Sequence, residues 1–310
     1  MSSIIDVKGL CKVFRETTAV DDLSFSVSKG EVYGFLGQNG AGKSTTIRML
    51  LTLIQPTKGS ITILGKELSH HRKEVLHQTG AIIEKPDLYK YLTALENISI
   101  MARLSRVRLS KSKLMQELER VGLAERATSK VKTFSQGMKQ RLGIACALVH
   151  DPQLIILDEP TNGLDPQGIA DVRNLILSLS KNEGKTVFVS SHLLSEIEVI
   201  ADSMLIIDKG KKVAEGKVAD LLNPSDTLVL LETNNDKQAK FFLNATRWNC
   251  YLQQNDAEIV LKMHRSEVPA LNEELVRQGI QVYSLRPKHS LEDYFLSLTT
   301  ANQHVDAYTN

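Results

Sequence analysis

Cysteine is scarce in this chain. Cys11, Cys146 and Cys250 are the only three among 310 residues, and no two form a C-x-x-C pair. That excludes a disulfide framework and a thiolate zinc site, and it fits a reducing cytoplasm. Cys146, inside Ile144-Ala145-Cys146-Ala147-Leu148, reads as a small buried hydrophobe. Long apolar runs are also lacking; none reaches the ~20 residues of a membrane-spanning helix. The opening Met1-Ser2-Ser3-Ile4-Ile5-Asp6-Val7 has no cationic segment followed by an apolar core, so no signal peptide is expected. Charge of one sign is lacking too. With 38 Lys and Arg against 36 Asp and Glu the net charge is +2, too little to point to nucleic acid as a partner. There is no internal repeat and no low-complexity tract. What remains is the composition of an ordinary globular protein, 42% hydrophobic and 24% charged, long enough for one large domain or two unequal ones.

Against that plain background one segment stands out. Gly37-Gln38-Asn39-Gly40-Ala41-Gly42-Lys43-Ser44 fits G-x-x-x-x-G-K-[ST] at every fixed position. The apolar run Val32-Tyr33-Gly34-Phe35-Leu36 before it reads as a buried strand, and Thr45 to Leu51 after it reads as a helix. The glycines let the backbone curl so that several N–H groups face one anion. The helix start, with Thr45 in its first turn, adds its positive dipole end. Lys43 brings a point charge for the outer phosphates, and the Ser44 hydroxyl suits Mg²⁺. The segment predicts binding of a nucleoside triphosphate with Mg²⁺.

Around it the chain alternates strand and helix patterns. Residues 4–7 and 23–27 alternate apolar and polar, with Phe14 in a polar loop between them. Strands are expected at Ser60–Leu64, Ala81–Glu84, Leu154–Leu157, Thr186–Ser190 and Met204–Asp208, and a helix from Gln167 to Leu179. From about Thr93 to His150 the pattern is helical, with Leu114, Leu118 and Val121 on one face. This predicts an α/β fold with a mainly parallel sheet, a P-loop NTPase core, carrying an inserted helical subdomain at about 85–150. The expected domains are 1–222 for nucleotide binding and 223–310 for a small C-terminal α/β appendage. The change of character falls near Asn223-Pro224-Ser225-Asp226. Ser290-Leu291-Glu292-Asp293 looks like a capping box that opens a last helix, Leu291–Leu298.

Two further segments carry chemistry. Asp158 and Glu159 follow the apolar strand at 154–157, where a carboxylate reaches triphosphate-bound Mg²⁺ and the next acid can polarise an attacking water; alone, Asp-Glu-Pro at a strand end also suits a simple turn. Thr133 to Leu142 places Ser135, Gln136 and Gly137 at a helix start, a second anion cradle. Taken alone, Ser135 is a plain N-cap. One triphosphate needs only one such cradle per chain, so the second one fits a two-fold dimer in which each faces the other chain's phosphate loop.

With those motifs in order, residues 1–220 resemble the ATP-binding subunit of ABC transporters. The resemblance rests on the phosphate loop 37–44, the signature 134–138, the acidic strand end 154–159, Asn162-Gly163-Leu164-Asp165 and Ser191-His192. It implies that Phe14 stacks on adenine and that Lys43 and Ser44 contact phosphate and Mg²⁺. It also implies that Glu159 is the general base, that Asp165 crosses the dimer interface, and that His192 touches the γ-phosphate and holds the base. Without the resemblance, Phe14 reads equally as a core aromatic and His192 as a structural histidine. Glu84 stands where the family usually has a glutamine. A carboxylate still ligates Mg²⁺ but donates no amide hydrogen bond; by itself Glu84 also reads as a solvated acid. The signature reads Phe134-Ser135-Gln136-Gly137-Met138 where the family usually has L-S-G-G-Q.

Both departures, together with the tail, resemble the subunits of bacitracin-efflux and lantibiotic-immunity exporters. The resemblance implies an ATPase that dimerises around two ATP–Mg²⁺ and drives a separate integral-membrane permease. It would sit on the inner face of the cell membrane through that permease, with antimicrobial-peptide export or immunity as the implied task. The rival readings are a non-transport ABC ATPase, an ATP-binding regulator without hydrolysis, and the same engine moving a drug, a polysaccharide or a motility component. Glu159 and His192 weigh against the regulator.

Overall fold

Strands that read as unbroken apolar runs in the sequence lie at the centre of a parallel sheet, where both faces are covered and no alternation is needed. The computed structural model of the chain describes residues 3–221, 227–253 and 258–287. The chain divides into two compact units, Met1–Val218 and Ala219–Asn310. The first begins with the hairpin β1 (Ser3–Phe14) and β2 (Thr17–Ser28). It continues with β3 (Val32–Leu36), α1 (Lys43–Leu50), β4 (Lys58–Ile63), β5 (Lys66–Glu67), α2 (Leu68–His77) and β6 (Thr79–Ile82). The helices α3 (Ala94–Leu104), α4 (Lys111–Arg120) and α5 (Gln136–Leu148) follow. Then come β7 (Leu154–Asp158), α6 (Pro166–Lys181), β8 (Thr186–Ser191), α7 (Leu194–Ile200), β9 (Ser203–Asp208) and β10 (Lys211–Lys217); the short α8 (Val218–Leu221) spans the boundary between the units.

Two sheets result. The order β10–β9–β3–β8–β7–β6 is parallel except for β10, and β2–β1–β4–β5 forms a separate antiparallel sheet. Local alternation could not reveal that the N-terminal strands leave the parallel sheet, because sheet membership is set by long-range pairing. The strands at residues 4–7 and 23–27 extend to 12 residues each. Phe14, expected in a loop, instead closes β1 and pairs across to Thr17, because the ladder runs on to a tight turn with Arg15 at φ 49°. Its ring is exposed, with the Lys12 ammonium 4.8 Å from the centroid.

One core joins both sheets. Ile5, Leu10, Leu23 and Phe25 from the antiparallel sheet meet Tyr33, Phe35, Phe188 and Leu205 from the parallel one, and Ile47 and Leu50 of α1 enter the same cluster. Phe35 and Phe188 are tilted against each other at 5.2 Å, a favourable aromatic spacing. Cys146 is buried on α5, and burial pushes its thiol up to about 12, so it stays an inert hydrophobe.

α3, α4 and α5 start on side-chain caps. Thr93 and Glu96 form a capping box, and Ser110 and Ser135 accept from Lys113 N and Met138 N. α5 reaches from this lobe to β6. Gly80 permits the approach, since a Cβ there would stand 2.3 Å from the Ala147 carbonyl oxygen.

In the second unit, β11 (Thr227–Thr233), β12 (Ile259–Met263) and β13 (Val282–Pro287) form an antiparallel sheet in the order β12–β11–β13, with α9 (Asp236–Ala245) and α10 (Val268–Arg277). Trp248 is fully buried there and its indole N–H donates to Glu274 at 2.7 Å. The helix expected at Leu291–Leu298 and the boundary residues Asn223–Asp226 lie outside the described residues.

Candidate functional site

The C-terminal ends of three neighbouring parallel strands assemble the site. β3 ends at Leu36 and opens the phosphate loop, β7 ends at Asp158, and β8 ends at Ser191. Register pairs Leu36 with Ser191 and Asp158 with Ser190. In open α/β sheets, ligands bind at such strand ends.

The loop from Gly37 to Gly42 crosses close to β2. Gly42 has φ 104°, and a Cβ there would meet the Ala19 carbonyl oxygen at 2.6 Å, so only glycine fits. Gly42 is also the N-cap of α1. It offers no side-chain cap, and no acid stands in the first turn. The first-turn N–H groups, those of Ser44 and Thr45 among them, therefore face outward as anion donors, unlike the capped starts of α3 and α5. Gln38, Asn39 and Gly40 are exposed at the loop tip, while Ala41 is buried.

Lys43 is 5% exposed. Its ammonium donates to the Gly37 carbonyl at 2.7 Å and the Gln38 carbonyl at 3.2 Å, and lies 3.3 Å from Glu159 Oε1. Glu159 has φ 47°, a left-handed backbone that a non-glycine residue adopts at a cost. That turn aims its carboxylate back over the loop. Its Oε2 accepts from Asn162 Nδ2 at 3.2 Å and lies 3.1 Å from His192 Nδ1. Asp158 is 2% exposed. The Ser190 hydroxyl donates to its Oδ1 at 2.5 Å and also accepts from Glu159 N at 2.9 Å. Asp158 Oδ2 is buried without a hydrogen-bond partner. Asn39, Ser44, Glu84, Gln136, Asp158 and Glu159 share the wall of one cleft of ≈ 270 Å³.

Glu84 lies at that cleft with its side chain 64% exposed and its backbone at φ 59°. Its carboxylate is paired with Arg48 of α1 at 2.6 Å. Ser135 and Gln136 are exposed at the tip of α5, and Gly137 is half-buried. Asp165 caps α6 by accepting from Gly168 N at 3.0 Å, and it too is exposed. Phe14 lies on the antiparallel sheet. The structure thus gathers Asn39, Lys43, Ser44, Glu84, Gln136, Asp158, Glu159 and His192 in one neighbourhood.

Sequence reasoning missed several residues. Through one hydroxyl Ser190 holds the Asp158 carboxylate and the Glu159 backbone N–H. Glu196 is buried on α7 and its Oε2 accepts from Thr161 Oγ1 at 2.7 Å and Ser191 Oγ at 2.9 Å. It therefore clips the segment after Glu159 to the one that carries His192. The available signal was a pair of serines ending an apolar strand. Glu196→Ala takes away the acceptor of two buried hydroxyls, Thr161 Oγ1 and Ser191 Oγ, the latter still accepting from Leu193 N at 3.0 Å; the cost is about 1.5–3 kcal/mol for hydrogen bonds to a charged group. The melting temperature should fall by roughly 3–10 °C, measured by circular dichroism, and phosphate release should slow as His192 loses its anchor.

The family model for "ABC transporter" matches residues 20–162. The chain is 43% identical over 300 residues to the bacitracin transport ATP-binding protein BcrA of Bacillus licheniformis, covering 96% of this chain and 98% of that one. It is 43% identical over 212 residues to the lantibiotic transport ATP-binding protein SrtF of Streptococcus pyogenes, covering 68% and 90%. A dimeric post-hydrolysis ATP-binding cassette with ADP and Pi bound matches with a TM-score of 0.62 at 25% identity, over 69% of this chain and 98% of that chain. Phosphate loop, acidic strand end and strand order therefore coincide with full-length sequence similarity, and the chain belongs to the ATP-binding proteins of ABC transporters.

Proposed function

We propose that the chain hydrolyses ATP as one half of a two-fold dimer and thereby drives an integral-membrane permease in antimicrobial-peptide export or immunity. The observation that carries the reading is the meeting of Lys43, Asp158, Glu159 and His192 at three parallel strand ends beside an uncapped helix start. Names of the relatives support the task, since those proteins are described as transporting bacitracin and a lantibiotic. Among the described residues no helix is long and apolar enough to cross a membrane, so the reading requires a partner that does, at the inner face of the membrane.

The triphosphate takes the amides of Gly40 to Thr45 and the Lys43 ammonium, and Phe14 offers an exposed ring for the base. The residues present fit Mg²⁺: Asp158 Oδ2 is a buried oxygen without a partner, on the same cleft wall as the Ser44 hydroxyl. Such a hard cation is held by one or two protein oxygens plus phosphates, with Glu84 as a further oxygen at the cleft. When bound, it neutralises charge on the β- and γ-phosphates. Glu159 then accepts the proton of the water that attacks the γ-phosphorus, and the bond to the ADP oxygen breaks. His192 holds the Glu159 carboxylate in place, and Lys43 stabilises the charge that builds up. Ser135, Gln136 and Gly137 complete the site of the second copy, with Asp165 at the seam. Residues 223–310 form an accessory domain that carries none of these groups.

The test is sedimentation of the full chain with and without ATP and Mg²⁺, beside phosphate release. A nucleotide-dependent dimer with turnover is expected; a monomer under all conditions overturns the reading. Glu84→Gln should change permease-coupled export more than ATP affinity. Intact export with weakened ATP binding reverses that assignment.

A further inference from the structure

Gln140 is an anomaly on α5. Its side chain is 5% exposed, and its Nε2 has no hydrogen-bond partner. A buried amide that donates to nothing is costly, and the helix around it buries Leu142, Ile144, Ala145 and Leu148 instead. Three residues on, on the same face, Gly143 lets α5 press against the segment that follows Glu84: a Cβ there would stand 2.5 Å from Pro86 Cγ. Gln140 thereby joins the wall of the cleft that also holds Ser44, Glu84, Asp158 and Glu159.

Gln140 shares the cleft wall with three carboxylates, and its buried Nε2, now without an acceptor, can pair only with one that is free to move. Glu159 is held by Lys43, Asn162 and His192. Asp158 is buried and fixed by Ser190, and its open oxygen is the cation's. Glu84 is the uncommitted one: exposed, tied by one contact to Arg48, and set on a left-handed backbone residue. We propose that Gln140 is a positioning residue for Glu84. With ATP and Mg²⁺ in the cleft, Glu84 leaves Arg48 and its carboxylate accepts from Gln140 Nε2, which keeps it facing the nucleotide. Gln140 supplies from α5 the amide donor that a carboxylate at position 84 lacks. Because Ser135 caps the start of α5, the contact also ties cleft occupancy to the helix tip offered to the second copy. This rests on the cleft being the nucleotide site.

The experiment is a double-mutant cycle on the full chain, read as kcat and KM for ATP with melting of the nucleotide-free protein alongside. Gln140→Leu removes the orphaned donor at similar volume. It should leave nucleotide-free melting unchanged or higher while kcat falls roughly five- to tenfold. In a Glu84→Ala background the same change should cost less than about twofold, because the acceptor is already gone. Gln140→Glu combined with Glu84→Gln exchanges donor and acceptor and should recover most of the kcat that Gln140→Glu loses. Equal fold losses in both backgrounds, or no recovery in the exchanged pair, overturn the proposal. Lys43→Ala serves as the separate control: if that variant still binds ATP with wild-type affinity, the cleft assignment itself fails, whatever the cycle shows.

Discussion

Glu159→Gln is expected to stop ATP turnover and leave a stable ATP-bound dimer. The substitution keeps the shape and an oxygen for Asn162 Nδ2 at the position now 3.2 Å away. It removes the negative charge that faces Lys43 at 3.3 Å, and with it the group that takes a proton from water. Loss of a positioned base costs roughly 10²–10⁴ in rate. Binding survives because the amides at the start of α1 and the Lys43 ammonium are untouched. With ATP and Mg²⁺, light scattering after gel filtration should report twice the monomer mass, while the unmutated chain returns to monomer as it consumes ATP. Turnover within threefold of the parent, measured by phosphate release, removes Glu159 from the role of base and leaves the buried Asp158 as the remaining acid at that strand end.

Lys43→Ala acts on the earlier step. The ammonium is buried and its present partners are two loop carbonyls and Glu159. All of these are weaker attractions for a cation than a triphosphate is. Loss of one charge-assisted contact of about 1.5–3 kcal/mol weakens ATP binding by roughly 10- to 150-fold. At an ATP concentration about 100 times the parent's Kd, bound ligand contributes about 2.7 kcal/mol, a rise in melting temperature of roughly 5–10 °C for a unit of this size. At the same ATP concentration the variant should keep only about 0.3–1.4 kcal/mol of that stabilisation, a rise of roughly 1–5 °C. A full thermal shift with Lys43→Ala would falsify the placement of the phosphates. Because Glu159 loses its cationic neighbour, nucleotide-free melting of this variant needs its own baseline.

The two expectations separate binding from chemistry, and the architecture explains why they separate. Lys43 belongs to the loop after β3, Glu159 to the turn after β7 and His192 to the turn after β8. Each strand end contributes one residue, and the sheet holds Lys43 3.3 Å from Glu159 and Glu159 3.1 Å from His192. Such preorganisation spares the site the cost of assembling itself during reaction.

Contiguous features were legible in the sequence. The apolar run 32–36 became β3 with the same limits, and α1 started at Lys43, two residues before the expected Thr45. Leu154–Leu157 became the body of β7, and Ser135 became a helix cap. All of these follow from interactions inside one window of a few residues: a strand's apolar content, a glycine's backbone freedom, a hydroxyl beside an unpaired helix amide. The family resemblance came from the same windows read in order.

Contacts between windows were not legible. Ser190 meets Asp158 and Glu159 across separations of 32 and 31 residues, Glu84 meets Arg48 across 36, and Thr161 meets Glu196 across 35. The orphaned amide of Gln140 and the exposure of Phe14 at a strand end likewise have no local signature. Sequence by itself determined which segments would be strand, phosphate loop and helix, and so which nucleotide chemistry the chain is built for. Tertiary structure alone decided which side chains hold the acids in place, because the order and register of β3, β8 and β7 choose which strand ends are neighbours, and no short-range periodicity encodes that choice.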